Sequence, residues 1–518
     1  MRGDLLTPQD VDVLVVGGGI NGAGVARDLA GRALSVLLVE QHDLASHTSS
    51  SSTKLIHGGL RYLEHYEFSL VRKALAEREV LLQSAPHIMR PLRFVMPHDP
   101  SMRPVWMIRA GLFLYDHLAR REWLPGSHAI DLTRHPAGHA LKPQFRRGFE
   151  YSDGWVDDAR LVVLCAMHAR QRGAHVLTRC RCERARWVNG RWHAELTRAD
   201  GAVHSVTARA LVNATGPWAA AFLQQQLDWP ARKALRLVKG SHIVVPKMFE
   251  HQHAYIFQNA DGRIIFAIPY EGDFTLIGTT DVECHDDPGT ARADAQEVSY
   301  LCEQASRYFA RAIAPADVRW SYSGVRPLLD DDQGDPSAVT RDYLLEMHDG
   351  DAPLLSVWGG KITTFRKLAE QAAQMVCERL SVRSAPWTAQ APLPGGDLSR
   401  WIETTRRPDH DISRFENALA ARHPELPPVL CRRWSRAYGS LVELLLRAGS
   451  LGHEVAPGLH EAELHYLCEH EWARDADDVL WRRSKLGLHL SDSDRNAVER
   501  WFAQRGAQST GSVRLSAI

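Results

Sequence analysis

The strongest constraint on the fold lies near the start of the chain, in VDVLVVGGGINGAGVARDLAGRALSVLLVE, residues 11–40. A short apolar run rich in valine reads as a buried parallel strand. It enters Gly17-Gly18-Gly19-Ile20-Asn21-Gly22, a full GxGxxG, and the next eleven residues have helical spacing. A second strand then ends on Glu40. Strand, glycine turn, helix, strand and terminal acid form the βαβ fingerprint of a dinucleotide site. Gly17 permits the tight turn, Gly19 the approach of a pyrophosphate, and Gly22 close helix–strand packing. The helix N-terminus then faces the phosphate charge. Glu40 suits ribose hydroxyls and repels a 2′-phosphate. These residues do not separate NAD from FAD.

Composition narrows the rest. Lys plus Arg equals Asp plus Glu, 62 against 62, so no net field points to nucleic acid. Eight cysteines are scattered without a CxxC pair, which suits reduced thiols and argues against a disulfide reductase. The first apolar run reads as a strand, not a signal peptide, and no run reaches the length of a spanning helix. The expectation is a reduced, cytoplasmic protein that does not cross a membrane.

At 518 residues, two or three domains are expected. Residues 67–85 and 157–173 read as helices, the second capped by Asp157 or Asp158 and stopped at Gly173. Residues 175–216 alternate strand-like runs with Asn189-Gly190 and Asp200-Gly201, strong hairpin signals, and end in ALVNATG. That segment reads as a meander returning to the nucleotide sheet. Residues 235–281 are strand-rich, with turns at Asp261-Gly262 and Glu271-Gly272, and predict an antiparallel sheet of a second domain. A second strand–glycine–helix unit follows around Gly359-Gly360. Residues 385–396 carry three prolines and two glycines and read as a linker to a helical third domain.

Several motifs converge. GGGINGAG, SSSSTKLIHGGLRYLEHYEF, FEYSDGWVDDARL, LVNATGPW, KGSHIVVP, IGTTD, YSGVRPLL, TRDYLLE and GGKITTFRKLAE, in that order, resemble the FAD-dependent glycerol-3-phosphate dehydrogenases. These are respiratory flavoproteins of the D-amino-acid-oxidase-like superfamily. The resemblance runs from about residue 10 to 395 and weakens in the helical tail. It implies an α/β protein of three parts. A Rossmann-like FAD-binding domain takes residues 10–85, 150–220 and 350–385. An antiparallel β-sheet substrate domain takes 86–149 and 221–349, and a C-terminal helical cap takes 397–518. It implies oxidation of sn-glycerol 3-phosphate to dihydroxyacetone phosphate, with electrons passing through non-covalent FAD to a membrane quinone, and a homodimer.

A phosphate dianion needs fixed positive charge, which arginine supplies bidentately. Arg61, Arg326 and Arg341 lie in matching motifs and are expected at the substrate, with Tyr62 beside them. Alcohol oxidation needs a base for the hydroxyl proton; His242 is the first candidate, with His57 and Tyr62 in reserve. Gly359-Gly360-Lys361 opens a helix whose free N–H groups could stabilise negative charge on a reduced flavin, and Lys361 could reach flavin or substrate. The catalytic set is then His242, Arg326 and Lys361. The run Ser49–Ser52, with Thr53 and Lys54, starts just past the end of the second strand, where small hydroxyls can meet a cofactor. It is expected to line FAD, with His57 and the close backbone of Gly58 and Gly59. Ile20, Asn21, Ala214, Thr215, Gly216, Ile362 and Thr363 complete the cofactor set. Asp153 and Asp281 shape the site or cap turns. His465, Cys468 and His470 lack zinc spacing and read as a solvated face.

A quinone acceptor requires lipid contact. Residues 102–123 combine Trp106, Ile108, Leu112, Phe113 and Tyr115 with Arg103, Arg109, Arg120 and Arg121. That mixture suits a helix lying in the headgroup region of the inner face of the cytoplasmic membrane; a core helix with basic ends is its rival. Three other functions remain open from the residues. They are a glycerophosphate oxidase using O2 and making H2O2, an amine or amino-acid oxidase on the same scaffold, and a flavin-binding sensor without turnover.

Overall fold

The computed structural model describes residues 8–99, 103–231, 233–259, 261–329, 342–405, 407–447 and 449–514. The first strand, Asp10–Val16, pairs in parallel with Val36–Glu40 on one side and with Val203–Asn213 on the other. Its sheet continues through His175–Thr178 at one edge and Leu354–Trp358 at the other, with Leu344–Met347 added antiparallel. Valine-rich strands need cover on both faces. On one face lie the helices Ile20–Ala30, Asp158–Gln171 and Phe365–Arg379, which share a core with Val13, Val15 and Val212. On the other, Trp192, Leu196 and Phe222 pack on Val11, Leu14 and Leu37.

The expected turns form. Asn189-Gly190 and Glu271-Gly272 take positive φ at both residues, and Asp157, not Asp158, caps its helix by accepting from the Arg160 N–H. The meander Cys180–Val188, Arg191–Arg198 and Val203–Asn213 feeds the nucleotide sheet as expected.

The second sheet has ten strands around Leu235–Pro246, almost all antiparallel; Ala254-Tyr255 runs parallel to Phe94-Val95. It takes in Leu55–Ile56 and Arg147–Val156. Residues 55–56 and 150–156, expected in the nucleotide domain, therefore pair in the second sheet. Periodicity cannot assign an isolated strand to one of two sheets.

Residues 385–396 are not a free spacer. The Trp387 indole N–H donates to Asp28 O at 3.0 Å, Thr388 donates to the Asp28 carboxylate, and Leu393 is buried. The segment is a strap packed over the first helix. Beyond it, helices including Pro408–Arg422, Pro428–Tyr438 and Glu461–His470 enclose their own core around Trp434 and Phe415.

Buried ion pairs tie this helical domain to the nucleotide domain. Arg160 reaches Glu471 at 2.8 Å, and Arg483 reaches Asp43 at 2.7 Å. Arg160→Met takes the two-pronged hydrogen bond from the fully buried Glu471 carboxylate, so it should lower unfolding free energy by about 3–5 kcal/mol. Urea denaturation reads this; an unchanged midpoint would show that Glu471 is hydrated.

Candidate functional site

A groove of about 390 Å³ runs along the carboxyl ends of the nucleotide-sheet strands, within the usual range for a ligand site. Its floor is the first glycine turn. Gly17 has φ +111°, and a Cβ there would lie 2.5 Å from Ala214 O. A Cβ on Gly22 would lie 1.9 Å from Gly17 O. The backbone can fold this tightly only with glycine at both places. The Glu40 carboxylate closes the strand end, accepting from Gly18 N at 2.6 Å and His42 N at 2.8 Å. Ser49 Oγ accepts from Ile20 N, the first amide of the helix, at 2.9 Å. The Asn21 side chain donates to Gly359 O at 3.1 Å, joining the two glycine turns, while its Oδ1 is buried without a partner. Glycine cradle, strand-end acid and orphaned acceptor together fit a dinucleotide.

Of the expected cofactor residues, Gly17, Gly19, Ile20, Asn21, Glu40, Ser49, Ala214, Thr215, Gly216, Gly359 and Gly360 line this groove. His57, Gly58, Gly59, Lys361, Ile362 and Thr363 meet just beyond it. His57 N donates to Thr363 Oγ1 at 3.3 Å, and Lys361 Nζ lies 3.9 Å from the Tyr62 ring centroid. Ser52 and Lys54 were expected along the cofactor; the structure gives their side chains other partners. The Lys54 ammonium is fully buried, bound to Asp158 at 2.8 Å and to Ser50 O at 3.0 Å, and Ser52 Oγ donates to the same carboxylate. A buried ammonium must have an anion, and Asp158 supplies it.

Thr53 points to the second sheet, where its Oγ1 lies 2.9 Å from His242 Nε2. The His242 ring stacks on Tyr322 with centroids 4.8 Å apart and packs over Gly278, and its Nδ1 is buried without a partner. Burial, then the positive charges of Arg326 and Lys54, hold this ring well below the ordinary histidine pKa, so it is neutral. A neutral ring with one nitrogen occupied and one open can accept a proton. Arg326 stands on the adjacent strand Trp320–Leu329, opposite Val238, paired with Asp281 and donating to Thr279 Oγ1 at 3.0 Å. Asp281 thus orients an arginine. Arg61 is half-buried on the turn Leu60–His65, beside Tyr62. Arg341 lies outside the described residues.

Sequence reasoning missed the support under the Gly58-Gly59 turn. Gly58 N donates to Tyr115 Oη at 2.9 Å, Tyr115 donates to Asp153, and Arg78 pairs with Asp153 at 2.8 Å. Tyr115 belongs to the helix Val105–His117, which was expected at a lipid surface. Leu112 and Tyr115 face inward, while Trp106 is 67% and Phe113 64% exposed, with Met107 and Leu114 beside them. One face of this helix is therefore core, as the rival reading expected, and the other leaves large apolar side chains exposed. The helical period of its apolar residues hid the division, because both faces are apolar. No helix among the described residues is long and apolar enough to cross a membrane.

His135, Glu150 and His253 also bring donor atoms within 4.8 Å of one another. His135 Nδ1 accepts the Ala137 N–H, so a neutral ring turns Nε2–H toward Glu150, and Arg93 already holds that carboxylate at 2.5 Å. This is a buried carboxylate satisfied by the donors around it, not a cation cage.

Comparison with known proteins gives the same picture. Residues 12–366 match the FAD-dependent oxidoreductase family, and residues 386–506 match the C-terminal domain of alpha-glycerophosphate oxidase. A glycerol-3-phosphate dehydrogenase of Pseudomonas aeruginosa is 55% identical over 93% of each chain. A D-erythritol 1-phosphate dehydrogenase of Brucella abortus is 48% identical over 96% of this chain and 98% of its own. The crystal structure of a glycerol-3-phosphate dehydrogenase from Bacillus halodurans complexed with FAD superposes with TM-score 0.76 at 28% identity, covering 96% of this chain and 91% of that one.

Proposed function

The chain belongs to the family of FAD-dependent oxidoreductases, and from that premise we propose that it oxidises sn-glycerol 3-phosphate to dihydroxyacetone phosphate and passes the electrons to a membrane quinone. The observation that carries this reading is that a neutral histidine and an oriented arginine sit on segments that line the groove fitting the cofactor: His242 meets Thr53, four residues past groove-lining Ser49, and Arg326 precedes groove-lining Pro327. FAD held in that groove supplies the hydride acceptor. Arg326 and Arg61 anchor the phosphate dianion by charge-assisted hydrogen bonds. His242 Nδ1 takes the proton of the secondary hydroxyl as the carbinol carbon gives up its hydride, and the two losses together make the ketone. Lys361, at the second glycine turn, adds positive charge beside the loop that carries Arg61 and Tyr62. Arg341 belongs to the same proposed substrate set.

A four-carbon substrate, D-erythritol 1-phosphate, is the second reading, favoured by the 48% identical relative. Both offer a phosphate and a neighbouring alcohol. Turnover with an artificial electron acceptor decides: the first reading expects kcat/KM at least tenfold higher for glycerol 3-phosphate. The reverse ranking selects the second. Peroxide formed in air at the rate of turnover marks a glycerophosphate oxidase instead.

The quinone and lipid assignments rest on the outer face of Val105–His117, where exposed Trp106 and Phe113 stand with Arg109 and, nearby, Tyr66. Such a face gains free energy by burial in the headgroup region. This face supports the proposed location, peripheral on the inner face of the cytoplasmic membrane. The double variant Trp106→Ser, Phe113→Ser should lose at least tenfold in affinity for phosphatidylglycerol vesicles, read by flotation, while keeping turnover with a soluble acceptor. Unchanged flotation removes this helix from the membrane contact.

A further inference from the structure

A column of aromatic rings connects the C-terminal domain to His242. Trp481 lies in the π-helical turn Asp478–Arg483, and its ring stacks on Trp320 with centroids 4.7 Å apart and planes 24° apart. Trp320 and Tyr322 alternate onto one face of their strand, centroids 5.0 Å apart. Tyr322 stacks on His242 at 4.8 Å and 16°. The column is held at both ends. A Cβ on Gly487 would come within 2.7 Å of the Trp481 ring, so that glycine lets the backbone close over it. At the other end the Tyr322 hydroxyl donates to Ser52 O at 2.8 Å, one residue before the Thr53 that holds His242 Nε2.

The same π-helical turn also grips the cofactor side. Arg482 and Arg483, next in sequence to Trp481, both bind Asp43 at 2.7 Å. Asp43 belongs to the loop after Glu40, whose Ala45, Ser46 and His47 line the groove. Single π-turns recur at functional positions in helices. Here one turn reaches the groove loop through two arginines and the proposed base through three rings.

We propose that Trp481 is a positioning residue for the reaction: through Trp320 and Tyr322 the C-terminal domain fixes the plane of the His242 ring, keeping Nε2 on Thr53 and Nδ1 turned to the substrate hydroxyl. This rests on the reading of His242 as the base. It assigns the domain of residues 386–506, which matches a family of its own, a part in catalysis and not only in stability. The charged groups facing His242 are Arg326, from the strand that carries Trp320 and Tyr322, and Lys54, from the segment after the serine run; Tyr322 and Thr53 are its polar contacts. Loosening the column admits water to the ring and lets it protonate at higher pH. The acid limb of kcat then moves upward, a change that loss of stability alone does not produce.

The test compares Trp481→Leu, which keeps apolar bulk without a ring, Trp481→Phe, which keeps the ring, and His242→Gln, all as full-length FAD-loaded enzyme with a soluble electron acceptor. Trp481→Leu should retain FAD and stay within about twofold in KM, because it touches neither ligand. Its kcat should fall roughly tenfold to a hundredfold, the scale of a misplaced reacting group, and its acid limb should shift to higher pH. Trp481→Phe should recover most of both. Wild-type kcat and acid limb in Trp481→Leu overturn the proposal, as does a lowered kcat with an unmoved acid limb and no rescue by phenylalanine. His242→Gln reports separately: full activity there would remove the base, whatever Trp481 does.

Discussion

An Arg326→Ala enzyme is expected to keep its FAD and to lose about three orders of magnitude in kcat/KM for glycerol 3-phosphate. Each hydrogen bond to a charged partner is worth about 1.5–3 kcal/mol, and arginine offers phosphate two at once. Two such bonds correspond to a factor of about 10²–10⁴. The neighbour adds to the loss: Arg326 is paired with Asp281, so its removal leaves an unneutralised carboxylate beside the incoming dianion. Arg326→Lys should recover only part, because an ammonium is a point charge and cannot hold both Asp281 and a phosphate fork. Steady-state kinetics with a soluble acceptor and the flavin absorbance of the same sample measure both quantities. Activity within threefold of wild type would remove Arg326 from the substrate site, and loss of FAD would place it on the cofactor instead.

Gly22→Ala is the second large effect, expected to yield folded protein with less than a tenth of the wild-type FAD. The new methyl would lie 1.9 Å from Gly17 O, a distance no rotamer relieves because both atoms are fixed by backbone. The helix must move off the first strand, and the glycine turn that faces the cofactor pyrophosphate opens with it. The ratio of flavin to protein absorbance after desalting reads the outcome. Full occupancy would show that the turn accommodates a side chain and that the pyrophosphate is held elsewhere.

The two glycine-centred units were legible because their chemistry is local. A strand, a turn with positive φ and a helix lie within about thirty residues, and each residue type has one physical reason to be there. Hairpins at Asn189-Gly190 and Glu271-Gly272 were legible for the same reason. What escaped depends on partners far away in sequence. Lys54 reads as a cation lining FAD, whereas its ammonium is buried against Asp158, more than a hundred residues later. Residues 385–396 read as a linker because proline and glycine break helices, yet Trp387 and Leu393 supply the apolar contacts that pin them down. Tyr115 read as an interfacial aromatic, and no local pattern announces its hydrogen bond to Asp153 beneath Gly58. The serine run divides likewise: Ser49 faces the groove, while Ser52 serves the buried Lys54–Asp158 pair. His242 was singled out by chemistry and motif together, and the structure adds its neutral state, its open Nδ1 and its ring stack.

A phosphorylated polyol is expected to reduce a flavin held in this groove. Anaerobic mixing of the purified, FAD-loaded protein with glycerol 3-phosphate tests it most directly, with the flavin absorbance near 450 nm followed in time. The expected result is bleaching within the turnover time, with dihydroxyacetone phosphate formed in equal amount to the flavin reduced. An oxidised spectrum that persists with saturating glycerol 3-phosphate would contradict the account.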